Sequence, residues 1–133
     1  MAHILAIDDE QDVITLMTFL LQKDGHRISS AHNGAKALEV LGVEPAAPRR
    51  PEDLPDLIIL DLMMPVMDGP GFARRLNRVE SLSSIPMIIL SAKGKVQEFF
   101  ELPNRKTLYL EKPFDPKELR RLIAEILGEG APE

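Results

Sequence analysis

Apolar and polar positions follow two patterns along the chain. Short apolar runs, typical of strands buried on both faces of a sheet, alternate with segments in which apolar residues recur every three or four positions, as on one side of a helix. The strands predicted from the apolar runs are His3–Ile7, Arg27–Ala31, Leu57–Asp61, Met87–Leu90 and Thr107–Leu110. The second strand is the least apolar, because Ser29 and Ser30 interrupt it.

A predicted helix follows each strand. The helices span Gln11–Lys23, Ala35–Leu41, Gly69–Arg78, a short segment Val96–Leu102 that Pro103 ends, and a last helix that begins at Pro116 after the capping residue Asp115. The residues expected on the buried side of the first helix are Val13, Leu16, Met17, Leu20 and Leu21, and Gly25 is expected to end that helix in a left-handed conformation. This alternation predicts an α/β fold with a five-stranded parallel sheet and helices on both faces.

The segment from Val43 to Pro55 departs from both patterns. Four of the eleven prolines lie in it, at positions 45, 48, 51 and 55. Proline removes a backbone donor and fixes φ, so this segment is expected to be an exposed, semi-extended loop. A tolerated insertion is the more common role of such a loop, and a partner site is the alternative.

Composition narrows the classes of function. The length of 133 residues fits one domain, which we expect to span residues 1–128, with residues 129–133 as a short tail. A formal net charge of −5 without a basic cluster argues against direct nucleic-acid binding. The absence of cysteine excludes disulfides and thiolate sites, and the N-terminus lacks a basic leader. No apolar run approaches membrane-spanning length, and we expect no membrane association. The absence of cysteine suits a reducing compartment, and we expect a cytoplasmic protein.

Polar residues stand where the predicted strands end. Asp61 directly follows four apolar residues, Asp8 and Asp9 follow the first strand, and Ser91 and Lys112 follow the fourth and fifth. The carboxyl ends of parallel strands meet at one edge of a sheet, where open α/β folds place their ligands. The adjacent acids Asp8, Asp9 and Glu10 could alternatively be a solvated turn or a helix cap.

Converging carboxylates, one lysine and one serine hydroxyl are the parts of a phosphoryl-transfer site. Carboxylates repel one another unless a divalent cation such as Mg²⁺ or Mn²⁺ neutralises them. Lysine and serine can hold phosphoryl oxygens, and a carboxylate in line with the phosphorus can be the nucleophile. Asp61 is the candidate nucleophile.

These motifs together resemble the receiver domain of two-component response regulators. Asp8-Asp9, Asp61, Ser91-Ala92 and Lys112-Pro113-Phe114 occur in the order of that family, and the resemblance covers nearly the whole chain. The loop at 63–69 is also similar to the family's loop after its phosphorylated aspartate. The resemblance implies a (βα)5 flavodoxin-like fold with strand order 2-1-3-4-5.

The resemblance also implies a role for each site residue. Asp61 would accept a phosphoryl group from a histidine kinase, a phosphotransfer protein or a small phosphodonor. Asp9 and Asp61 would bind Mg²⁺ directly, Asp8 mainly through water, and the main-chain carbonyl of Met63 would complete the protein ligands.

The remaining roles concern the phosphoryl group and the switch. Lys112, followed by a cis peptide to Pro113, would contact the phosphoryl oxygens, and Ser91 would hydrogen-bond to them. Tyr109 matches the aromatic residue that turns inward on activation. Such a domain is a signalling switch rather than an enzyme, since it promotes only its own phosphorylation and dephosphorylation.

Three features depart from the family pattern or vary within it. The proline-rich segment lengthens one connection, and the fourth predicted helix is weak in a region that receivers use to engage a downstream protein. Met63 and Lys93 occupy the two variable positions that influence phosphate loss in the family, and we expect the bulky Met63 to slow it.

The sequence leaves alternative functions and assemblies open. A protein-interaction module that signals without phosphorylation is the main alternative. An aspartyl-phosphate hydrolase is disfavoured. Such enzymes have an Asp-x-Asp motif at the nucleophile, whereas the residue two positions after Asp61 is Met63. Few residues follow the last helix, so no output domain is expected there, and the chain is either a stand-alone receiver or part of a longer protein. It is expected to be a monomer or a weak homodimer through the fourth helix, fifth strand and fifth helix.

Overall fold

The fold is an open parallel sheet covered by helices on both faces. The computed structural model describes residues 2–43, 54–62, 69–79, 82–92 and 105–128. Its strands are β1 (His3–Ile7), β2 (Arg27–Ala31), β3 (Leu57–Asp61), β4 (Met87–Ala92) and β5 (Thr107–Lys112). All neighbours pair in parallel, and the order is β2-β1-β3-β4-β5. The predicted α/β fold and its strand order are therefore confirmed.

Four helices lie within the described residues. They are α1 (Gln11–Lys23), α2 (Gly34–Val40), α3 (Gly69–Asn77) and α4 (Pro116–Ile126). The last of them, α4, is the fifth helix predicted from the sequence. The predicted helix Val96–Leu102 lies outside the described residues, as do positions 44–53 of the proline-rich segment.

The core consists of two apolar clusters, one on each side of the sheet. Successive strand residues point to opposite faces, so Ile58 and Leu60 pack on one side while Leu57 and Ile59 pack on the other. The first cluster includes side chains from α2 and α3, among them Leu38, Phe72 and Leu76. The second includes side chains from α1 and α4, among them Met17, Leu21, Leu119 and Ile123. This explains why β3 carries an unbroken apolar run that ends at Asp61.

The buried side of α1 differs from the prediction. Its buried residues are Ile14, Met17 and Leu21, whereas Leu16 is 40% exposed and Phe19 is 64% exposed. The helix has more apolar residues than one side can bury. The stripe that packs on the sheet therefore runs through positions 14, 17 and 21 rather than through 16.

The helix ends behave as their residue types predict. Gly25 has a φ of 89°, and the backbone N–H groups of Gly25 and His26 donate to the carbonyls of Gln22 and Leu21. This is a Schellman ending, which favours glycine at the left-handed position. The Asp115 carboxylate accepts a hydrogen bond from the backbone N–H of Lys117, which confirms it as the cap of α4.

A buried arginine joins the amino-terminal ends of two strands. Arg105 precedes β5, and its guanidinium donates to the carbonyls of Ile85 and Leu82 and to Asn77 Oδ1, at 2.9, 3.0 and 2.8 Å. Burial lowers the pKa of Arg105 to about 10, so it stays protonated at neutral pH. Arg105 thus fixes the connection between α3 and β4 against the start of β5.

No helix in the described part of the chain has both the length and the hydropathy to cross a bilayer.

Candidate functional site

The carboxylate of Asp8 is fixed at the end of β1 by the local backbone. The Asp8 N–H donates to the Ala31 carbonyl at 3.1 Å, which continues the pairing of β1 with β2. Its Oδ1 accepts a hydrogen bond of 2.9 Å from the Glu10 N–H. These two bonds hold a fully buried carboxylate at the carboxyl edge of the sheet.

Asp61 occupies the equivalent position at the end of β3. It pairs with Leu90 of β4, and the next residue, Leu62, donates from its N–H to the Leu90 carbonyl at 3.0 Å. The Asp61 side chain is buried. Because the sheet continues past Asp61, the position of its carboxylate is set by the strand rather than by the loop that follows.

Lys112, the last residue of β5, brings three carboxylates together. Its Nζ lies 2.7 Å from Asp8 Oδ2, 3.1 Å from Glu10 Oε1 and 3.4 Å from Asp61 Oδ2. It donates hydrogen bonds to Glu10 and Asp61, whereas Asp8 Oδ2 makes a close ion pair that lacks hydrogen-bond alignment. The predicted residues Asp8, Asp61 and Lys112 therefore meet in one pocket. The peptide from Lys112 to Pro113 is cis, as the resemblance implies.

The electrostatics of the pocket show an incompletely compensated negative charge. Burial raises the pKa of Asp8, although its contacts with Lys112 and with the Glu10 N–H act in the opposite direction. Burial alone would lower the pKa of Lys112, but the bonds and charges of its three carboxylate neighbours outweigh it, and the net shift is upward. Lys112 is thus firmly charged, yet its ammonium does not fully offset the burial of the Asp8 carboxylate.

The donor set of the pocket fits a divalent cation. One carboxylate oxygen from each of Asp8, Asp9 and Glu10 lies within 4.8 Å of the others, with Asp9 and Glu10 exposed. Hard cations such as Mg²⁺ prefer oxygen ligands and keep part of their water shell. The incompletely compensated charge on buried Asp8 is the observation that favours such an ion here.

Ser91 presents a buried hydroxyl near the carboxyl end of β4. It lies on β4, directly after the residue that pairs with Asp61, and it pairs with Glu111 of β5. Its Oγ has no hydrogen-bond partner among the residues that the structure describes. Buried polar atoms are almost always satisfied, so this hydroxyl is a candidate for binding a ligand.

The other predicted site residues have different outcomes. Tyr109 lies on β5, is half-buried and packs against the cluster that includes α2 and α3. Met63 and Lys93 lie outside the described residues. A turn or helix cap is the alternative role of Glu10 in the sequence analysis, and Glu10 does occupy the N-cap position of α1. Its contact with Lys112 could not be predicted, because the two residues are 102 positions apart.

An open cleft lies next to the pocket. Its volume is about 500 Å³, and it is bounded by the start of α1 and the residues after β5. The lining residues are Glu10, Asp12, Val13, Leu16, Lys112, Pro113 and Phe114. Glu10 and Lys112 are therefore shared between the cleft and the pocket.

Comparison with known proteins identifies the family. The model of the response regulator receiver domain matches residues 4–124. The chain belongs to this family, which acts in two-component signalling.

The curated relatives are bacterial response regulators. The chain is 34% identical over 128 residues to the DNA-binding dual master transcriptional regulator RpaA of Synechocystis sp., covering 96% of this chain and 49% of RpaA. It is 30% identical over 125 residues to the alkaline phosphatase synthesis transcriptional regulatory protein PhoP of Bacillus subtilis, covering 93% of this chain and 48% of PhoP. The chain thus spans about half the length of these relatives.

Solved structures of receiver domains share the fold. A putative response regulator from Chloroflexus aurantiacus is 27% identical with a TM-score of 0.78, over 96% of this chain and 98% of that one. The receiver domain of a Pseudomonas aeruginosa sensor histidine kinase has the same TM-score and coverage at 25% identity. That domain holds a magnesium ion coordinated in its active-site cleft.

Proposed function

We propose that this receiver domain is switched by phosphorylation of Asp61. An oxygen of the Asp61 carboxylate attacks the phosphorus of a phosphohistidine on a histidine kinase or phosphotransfer protein. The new O–P bond forms as the P–N bond breaks, and the imidazole leaves. The observation that carries this proposal is the meeting of Asp61, Asp8 and Lys112 in one buried pocket at the strand ends.

Each side chain of the pocket has a defined task in this proposal. Lys112 holds a phosphoryl oxygen, since its ammonium lies 3.4 Å from the Asp61 carboxylate. Ser91 supplies the hydroxyl that bonds to another phosphoryl oxygen, which satisfies an otherwise unpaired buried group. Tyr109, on the same strand as Lys112, reports the change to the rest of the domain.

We assign Mg²⁺, or Mn²⁺ in its place, to the acidic residues of the pocket. Asp9, Asp61 and the main-chain carbonyl of Met63 are the proposed direct ligands, and Asp8 contributes mainly through water. The ion supplies neutralisation of the charge on the carboxylates and the phosphoryl oxygens.

The proposed partners are based on the net charge of the chain and on its membership of the receiver-domain family. The phosphodonor is a histidine kinase or phosphotransfer protein, and the phosphorylated domain acts on a downstream protein in the cytoplasm. RpaA is described as DNA-binding, but a net charge of −5 argues against direct nucleic-acid contact by this chain. The proposed assembly is a monomer or a weak homodimer.

Beryllofluoride, a mimic of the phosphoryl group, tests this function. Backbone amide spectra of the protein with Mg²⁺ and beryllofluoride should show shifts at Asp61, Ser91 and Tyr109. The shifts should vanish without Mg²⁺ and in Asp61→Asn. An unchanged wild-type spectrum would contradict the proposal and favour a module that signals by protein contact alone.

A further inference from the structure

Glu10 combines two unusual features at the mouth of the pocket. It occupies the N-cap position of α1, where Ser, Thr, Asp or Asn is preferred because a short side chain can accept a hydrogen bond from the first turn. The Glu10 side chain makes no such bond. Its carboxylate instead accepts a hydrogen bond of 3.1 Å from Lys112 Nζ, while its backbone N–H holds the Asp8 carboxylate.

The three carboxylates around Lys112 differ in their exposure. The Asp8 and Asp61 side chains are buried, and Lys112 itself is 17% exposed, whereas the Glu10 side chain is 61% exposed. The ammonium donates hydrogen bonds to Glu10 and Asp61, and Asp8 Oδ2 lies 2.7 Å from it as an ion pair, so carboxylates already surround it. A phosphoryl oxygen that approaches Lys112 therefore competes with these partners.

Of the three carboxylates, Glu10 can leave Lys112 at the smallest cost in free energy. Breaking an exposed ion pair returns a carboxylate to water, whereas breaking a buried one leaves a charge without solvent. Its negative charge also repels an arriving phosphoryl donor. The contact between Glu10 and Lys112 therefore opposes phosphoryl binding, and Glu10 is not one of the proposed direct Mg²⁺ ligands.

We propose that Glu10 is a positioning residue that holds the Lys112 ammonium at the pocket mouth in the unphosphorylated state and releases it to the phosphoryl group. Glu10 thereby slows phosphoryl acceptance by competing for Lys112. This inference rests on the proposed function of Asp61, and it adds a residue that sets the rate.

The substitution Glu10→Gln tests the competition, since it keeps the length of the side chain and removes its charge. With a small phosphodonor such as acetyl phosphate at saturating Mg²⁺, we expect the maximal phosphorylation rate of the intact chain to rise about threefold, the scale of an exposed ion pair. The matched control is Asp12→Asn. Asp12 is an exposed acid in the first turn of α1 and has no ion pair with Lys112 within the described residues.

A second measurement observes the contact itself. The Nζ resonance of Lys112 in Mg²⁺-free protein should shift in Glu10→Gln and not in Asp12→Asn, with the amide spectra of both variants otherwise preserved. If Glu10 had a merely structural role, Glu10→Gln would instead disturb the amide spectrum of α1, and the Lys112 resonance would show no shift confined to this variant.

The outcomes separate this inference from the function it rests on. An unshifted Lys112 resonance, or a Glu10→Gln rate equal to that of Asp12→Asn, overturns the role of Glu10 while leaving phosphorylation of Asp61 intact. A wild-type chain that accepts no phosphoryl group overturns both. A faster rate together with a shifted resonance, both confined to Glu10→Gln, supports the competition.

Discussion

At the scale of single residues, the buried hydroxyl of Ser91 has a free-energy cost that a bound ligand would remove. Its buried hydroxyl has no hydrogen-bond partner in the described part of the chain, and an unsatisfied buried hydroxyl is unfavourable by about 1–3 kcal/mol. We expect Ser91→Ala to raise the free energy of unfolding by about 1 kcal/mol in Mg²⁺-free urea denaturation. The same substitution should weaken beryllofluoride binding, because the phosphoryl mimic loses a donor.

Ser29→Ala is the matched control for this prediction. The Ser29 hydroxyl lies 2.7 Å from His3 Nε2, so its removal breaks an existing hydrogen bond. Its loss should lower the free energy of unfolding by about 1 kcal/mol. If Ser91→Ala destabilised the protein as much as Ser29→Ala does, the hydroxyl of Ser91 would be structurally satisfied and the argument for its binding role would fail.

At the scale of elements, Arg105 joins two connections at the amino-terminal end of the sheet. Three acceptors, two of them backbone carbonyls, depend on its guanidinium. Lysine retains the charge but cannot reproduce the fork of donors, so Arg105→Lys should lower the free energy of unfolding by about 2 kcal/mol.

Chemical denaturation measures this effect. The control variant is Arg74→Lys, because Arg74 is an exposed residue of α3. The control should stay within about 0.5 kcal/mol of wild type. Equal stabilities for the two variants would show that the hydrogen bonds of Arg105 contribute nothing to the fold.

Comparison of elements also shows which features the sequence could predict. Each of Asp8, Asp61, Ser91 and Lys112 stands at or just after the end of an apolar run, and parallel topology brings strand ends together. The same logic fails for Glu10 and Arg105. Glu10 meets a lysine 102 positions away, and most of the acceptors of Arg105 are backbone carbonyls, which leave no signature in side-chain types.

The sequence also predicts the buried side of α1 only in part, because that side depends on packing. Periodicity identifies a helix, but Ile14, Leu16 and Phe19 are all apolar, and only packing decides which of them faces the sheet. Ile14 is buried, while Leu16 and Phe19 remain exposed.

At the scale of the whole molecule, one intrinsic probe can test the proposed switch. The sequence has a single tyrosine, Tyr109, and no tryptophan, so tyrosine emission comes from one position on β5. If phosphorylation moves this side chain, Mg²⁺ with beryllofluoride should change its fluorescence intensity. Titration of wild type against Asp61→Asn checks this, and identical emission from both proteins would count against Tyr109 as the switch.

Covalent phosphorylation of Asp61 is the central claim for the whole molecule, and intact-protein mass spectrometry tests it most directly. After incubation with Mg²⁺ and acetyl phosphate, the wild-type chain should gain the mass of one phosphoryl group. The Asp61→Asn chain, and wild type incubated with a chelator, should gain none. A wild-type mass that stays unchanged, or a phosphoryl group that appears equally on Asp61→Asn, would contradict the account.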